Sequence, residues 1–91
     1  MFRITRGKGF HVSFPNGYTV SVQFGPANYC DHYDRAIGRD EVACGEEGST
    51  LAEVGIWNAT GDFVTPDGGN DVIGRQNATE VLALMNWAAR R

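Results

Sequence analysis

The 91-residue chain predicts an α+β fold, a mostly antiparallel sheet of about five strands packed on one C-terminal helix. Three observations predict it. Apolar and polar residues alternate from Phe10 to Phe24 across an Asn-Gly turn, a second alternating run covers Leu51–Trp57, and helical spacing of apolar residues follows Asn77. There is room for one domain, 1–91, with one core, because a chain this short buries only roughly 60–65% of its unfolded surface.

The N-terminal part reads as a β-meander. Phe2-Arg3-Ile4-Thr5 alternates, Gly7-Lys8-Gly9 breaks the run, and Phe10-His11-Val12-Ser13-Phe14 alternates again. Pro15-Asn16-Gly17 follows, and Asn-Gly between alternating runs is a strong hairpin signal because both residues tolerate positive φ. Tyr18–Phe24 then alternates without a fault. A period of two puts Phe10, Val12 and Phe14 on one face with Tyr18, Val20, Val22 and Phe24, and that face should be the core. His11, Ser13, Thr19, Ser21 and Gln23 occupy the reverse face, which is polar but nearly uncharged.

Between Gly25 and about Thr50 the alternation stops. Asp31–Ile37 would support one or two helical turns capped by Asp31 or Asp34. So long a connector in a compact domain is usually functional or disordered, and its content favours function: Tyr29, Cys30, His32, Tyr33 and Arg35 lie close together.

Leu51–Trp57 reads as the next strand, with Ala52, Val54 and Ile56 facing the core and Glu53, Gly55 and Trp57 facing away. Asn58–Asp62 is a turn, Phe63-Val64 a short returning strand, Pro66–Asn70 a second turn, and Asp71–Gly74 a short edge strand. Asn77 and Glu80 have capping-box spacing. Val81, Leu84, Met85 and Ala88 form the stripe that should pack on the sheet, widened by Leu82 and Trp87. Arg90 and Arg91 suit the negative end of the helix dipole.

Composition narrows the function classes. A hydrophobic share of 42% is that of a folded protein. The net charge of −3 argues against direct nucleic-acid binding, which needs a basic stripe. No apolar run approaches the ~20 residues of a membrane span. The opening Met-Phe-Arg-Ile-Thr-Arg lacks the apolar region of a signal peptide, so the expected location is cytoplasmic, with Cys30 and Cys44 reduced.

No P-loop, dinucleotide fingerprint or hydrolase elbow occurs, so the chain is expected not to be an enzyme, and no cofactor is implied. Cys30 and His32, two positions apart, are poorly placed to form a thiolate pair, although a small cysteine/histidine-dependent enzyme remains the third alternative. Cys30, His32, Cys44 and His11 match no standard zinc spacing, so no metal site is assigned.

The expected site is on the reverse face. Trp57 should stand near His11, Ser21 or Gln23, with the long connector above it. A ligand-binding pocket is therefore expected from His11, Gln23, Tyr29, His32, Tyr33, Arg35 and Trp57, a polar–aromatic lining suited to a nucleotide-like ligand. Arg3 and Arg35 would bind phosphate.

The stretch Val12–Cys30, followed by Ala52-Glu53-Val54-Gly55-Ile56-Trp57, Asp71-Val72-Ile73-Gly74 and a short Trp-containing helix, resembles small phage and prophage accessory proteins. The resemblance spans most of the chain. It implies a non-enzymatic binding protein that counters a host defence system in the cytoplasm of an infected bacterium. The leading expectation is sequestration of a nucleotide-derived signalling ligand in a homo-oligomer. The alternative is an anti-CRISPR-like inhibitor of a defence nuclease, using the acidic segment Asp40–Glu47 as a protein-binding phosphate mimic.

Overall fold

Alternating Val, Thr and Ser residues favour an extended, half-buried strand, and this is what the central strand provides. The computed structural model describes residues 1–5, 9–24 and 50–91. The strands are β1 (Phe2–Ile4), β2 (Gly9–Ser13), β3 (Thr19–Gln23), β4 (Ala52–Trp57) and β5 (Ile73–Gln76), and helix α1 spans Ala78–Ala89. They form one antiparallel sheet in the order β1-β2-β3-β4-β5, with α1 packed on β3, β4 and β5. The α+β class expected from the alternation is the observed one. The expected helical turns at Asp31–Ile37 and the acidic segment Asp40–Glu47 lie outside the described residues.

Register puts the apolar side chains where the alternation places them. Phe10 faces Val22 and Val12 faces Val20 across β2–β3. Val20 faces Ile56 and Val22 faces Val54 across β3–β4. With Ala52 and Ala88 these valines and Ile56 form the buried core, and Phe10, Phe14, Tyr18, Val81, Leu84, Met85 and Trp87 pack half-buried around it. Leu82 is 59% exposed, so it does not widen the helix stripe as expected. One residue on from Val81 it is turned about 100° around the axis, away from the sheet.

The β2–β3 hairpin forms as expected, but its turn differs from a two-residue Asn-Gly turn with both residues at positive φ. Gly17 alone is in the left-handed region, at φ 89°. The Gly17 N–H donates to the Phe14 carbonyl at 2.9 Å, and the Phe14 N–H to the Tyr18 carbonyl at 2.9 Å. Pro15 sets the φ of the first turn position, which favours a three-residue loop with glycine last. A side chain at Gly17 would also meet the Ala59 Cβ at 2.7 Å, so two turns touch here.

Asn16 ties this turn to the helix. Its Oδ1 accepts from the Tyr18 N–H at 3.0 Å, and its Nδ2 donates to the Ala88 carbonyl at 2.8 Å. Ala88 is in the last helical turn, where carbonyls lack i+4 partners, and its carbonyl also accepts from the Arg91 N–H at 3.3 Å. The Arg91 Nε similarly donates to the Trp87 carbonyl at 3.1 Å, with its guanidinium 4.7 Å from the Trp87 ring centre. At the other end the capping box is complete, Glu80 N–H to Asn77 Oδ1 and Asn77 N–H to Glu80 Oε1, each 2.9 Å.

After β4 the chain departs from expectation twice. Phe63 makes a single bridge to Trp57 and no strand forms at Phe63-Val64. The edge strand falls at Ile73–Gln76, two residues beyond Asp71–Gly74, and leads directly into the helix cap. Asp71 is occupied instead in a local bond, its Oδ1 accepting from the Val72 N–H at 2.7 Å. The pairs Ala52↔Gln76 and Val54↔Ile73 leave one extra residue on β5. That bulge is accommodated by Arg75 at φ 54°.

The Asn16 bridge yields a specific test. Asn16→Ala and Asn16→Asp should each lower stability by about 1–2 kcal/mol in urea unfolding. Asp should be no better than Ala, because it keeps the Tyr18 acceptor but sets a carboxylate against helix carbonyls.

Candidate functional site

On the reverse face the central strand is low and its neighbours are tall. Thr19 and Ser21 of β3 are buried, each 8% exposed. His11 stands across from Ser21 on one side, and Trp57 across from Thr19 on the other. Strands two apart in a sheet are separated by roughly 9.5 Å. The short Thr19 and Ser21 side chains let the imidazole and indole lean together over β3, to 5.1 Å between ring centres with planes at 84°. An edge-to-face contact of this kind suits the negative face and positive edge of the rings.

Trp57 is braced from behind. Phe63 lies 5.8 Å away, ring centre to ring centre, and covers Gly55. A Cβ at Gly55 would lie 3.1 Å from Phe63 Cε1. The missing side chain thus creates the space in which Phe63 sits, and Phe63 fixes the indole on its far side.

Arg3 completes the group. It pairs with His11 across β1–β2 and so shares its face. Met1, Arg3, His11, Ser13, Thr19 and Trp57 line a concavity of about 200 Å³. Ser13 and Thr19 hydroxyls are bonded to each other at 2.9 Å. One hydroxyl proton is spent in that bond, and the acceptor's own proton is left to donate outward.

Burial, and after it the Arg3 charge, lowers the His11 pKa from its ordinary 6.5. The imidazole is therefore neutral at pH 7, with one nitrogen donating and one accepting. As pH falls through 6.5 the unfolded chain takes up its proton first, so this group's contribution to stability is full above 6.5 and declines toward the folded midpoint.

The sequence placed His11, Ser21 and Trp57 on one face, and the structure brings His11 and Trp57 into contact there. Gln23 shares the face but lies outside the concavity. Four residues along β3 from Thr19, it is roughly 13 Å from that row. Its amide is engaged with Thr5, accepting from the hydroxyl at 3.0 Å and donating to it at 2.9 Å. It reaches Thr5 across Gly9, where a Cβ would collide with the Val22 carbonyl. Tyr29, His32, Tyr33 and Arg35 lie outside the described residues, as do Cys30 and Cys44.

Alternation also puts Ser13 and Thr19 on this face, and the structure adds both to the site. Their exact opposition in the hairpin was the available signal. Among the described residues no group of three or more His, Cys, Asp or Glu side chains is placed to hold a metal. No helix among them is long and apolar enough to cross a membrane.

Comparison of the chain with protein-family models, curated proteins and solved structures gives no match.

The His11 environment has a direct readout. In NMR titration the His11 ring should protonate with a midpoint below 6.5. Trp57→Ala, which uncovers the ring, and Arg3→Gln, which removes the cation, should each move that midpoint upward. A wild-type midpoint at or above 6.5 would show that the imidazole is neither covered nor beside Arg3.

Proposed function

We propose that this chain is a non-enzymatic binding protein that holds a small nucleotide-like anion on the reverse face of its sheet. The observation that carries the reading is the His11–Trp57 contact beside Arg3, over a floor of hydroxyls. Each part corresponds to a part of such a ligand. The Arg3 guanidinium matches a phosphate with paired donors. The exposed portion of the Trp57 indole offers a stacking surface for a flat ring. Ser13, Thr19 and His11 supply directional hydrogen bonds.

Binding is favoured over catalysis by the same geometry. Among the described residues, the Ser13 and Thr19 hydroxyls bond to each other, and His11 packs edge-on against an indole with no carboxylate orienting it. A catalytic nucleophile needs a base in hydrogen-bond reach and a group orienting that base.

At about 200 Å³ the concavity falls below the usual range for small-molecule sites, ~300–1,000 Å³. It fits a phosphate or one ring in full and leaves the rest of a nucleotide outside. This supports a homo-oligomer in which further surface completes the site. The setting in which such binding acts, sequestration of a nucleotide-derived signal so that a phage escapes a host defence, rests on the resemblance to phage accessory proteins.

Calorimetry against nucleoside monophosphates, cyclic nucleotides, ADP-ribose and the matching unphosphorylated nucleosides tests the proposal. Phosphorylated members should bind and nucleosides should not. For the cyclic nucleotides and ADP-ribose, whose phosphates keep their charge across this range, affinity should rise as pH falls from 7.5 to 5.5, because an adjacent anion favours protonated His11. Trp57→Ala should weaken binding by about 5- to 150-fold, the range for loss of one stacked ring. No heat from any phosphorylated compound, or equal binding by the unphosphorylated ones, would remove this reading.

A further inference from the structure

Among the described residues β1 pairs only with β2, and its outer edge has a specific chemistry. The Ser13 N–H donates to the Met1 carbonyl and the Met1 nitrogen to the Ser13 carbonyl, both at 2.8 Å, and the Thr5 N–H donates to the Gly9 carbonyl at 3.1 Å. Bonded and non-bonded pairs alternate along an antiparallel ladder. With residues 1 and 5 bonded inward, Arg3 is also bonded inward, and the N–H and C=O of Phe2 and Ile4 point out from the sheet. Those four groups form a strand-length template, and an open edge of this kind accepts another extended chain.

The side chains on this edge are just as unfinished. Phe2 and Ile4 lie on the apolar face, opposite Val12 and Phe10, and are 72% and 81% exposed. The helix packs on β3, β4 and β5 and does not reach them. Edge strands are commonly protected by a charge pointing to the apolar face. Here the charge, Arg3, points to the other face and the apolar face of the edge is bare.

Arg3 decides what fits. Antiparallel self-pairing through Phe2 and Ile4 places Arg3 of one copy directly opposite Arg3 of the other, and like charges directly opposite are destabilising. A strand with an acidic residue opposite Arg3 and apolar residues on either side satisfies both faces at once.

We infer that the edge of β1 is a docking site for an extended acidic–apolar segment of another protein, added antiparallel to Phe2–Ile4 as a sixth strand. The partner's backbone bonds Phe2 and Ile4, its apolar side chains cover theirs, and its carboxylate pairs with Arg3. This goes beyond the ligand-binding reading: it uses the outer edge and the apolar face of β1, and shares only Arg3 with the concavity.

The test uses the full-length isotope-labelled chain and two blocked peptides, Thr-Val-Glu-Val-Thr and Thr-Val-Lys-Val-Thr. With the glutamate peptide, NMR shifts should centre on the Phe2, Arg3 and Ile4 amides, and the Phe2 and Ile4 amides should gain protection from exchange. The lysine peptide should bind at least about fivefold more weakly. Arg3→Glu, an exposed substitution, should reverse the preference. Three results overturn the inference: no shift at Phe2–Ile4 at millimolar peptide, equal binding of the two peptides, or Phe2 and Ile4 amides already protected in a concentration-dependent way, which assigns the edge to a second copy.

Discussion

The register between β3 and β4 is the constraint on which the other features depend. Val20 against Ile56 and Val22 against Val54 bury four side chains to 3% exposure or less. Because side chains alternate, a slip by one residue would exchange the two faces of the sheet. In the observed register the apolar set meets the helix, while Thr19, Ser21 and Trp57 are directed to the reverse face. The core and the candidate site are therefore two consequences of one pairing. A protein of this size has a thin stability margin, so the few residues that fix this pairing carry unusual weight.

The two ends of the sheet are treated differently. On the β4–β5 side the sheet is covered by the helix on one face and by Phe63 over Gly55 on the other. On the β1 side a three-residue strand carries exposed Phe2 and Ile4. Arg3 belongs to both accounts of function. After burial, which is the larger cause, its charge lowers the His11 pKa from within the concavity, and the same charge sets which strand fits the edge beside it. A carboxylate paired with Arg3 from the edge would reduce the attraction of the concavity for an anion, which gives the two surfaces a physical route to influence each other.

Local chemistry made much of the fold legible in the sequence. The period of two in Tyr18–Phe24 identified β3 and both of its faces, and Asn77 with Glu80 marked the helix start to the residue. Alternation put Trp57 on one face with His11, Ser21 and Gln23, and the strand register then selected His11 as its ring partner. Long-range complementarity was not legible. Nothing local announces that Asn16 will reach a helix carbonyl 72 positions away, or that Phe63 will fill the space above Gly55. The bulge at Arg75 was missed because short apolar runs such as Val72-Ile73 do not fix their own register. Gln23 shows the limit of face assignment. Alternation gave its face, but its distance along the strand and its bond to Thr5 remove it from the concavity.

The most direct measurement of this account is the set of NMR cross-relaxation contacts from the Trp57 indole. The observed register predicts contacts to the His11 ring and to Phe63, with none to the helix. Contacts from Trp57 to Leu84 or Met85 would contradict it, because they would place the indole on the apolar face and dissolve both the core pairing and the site.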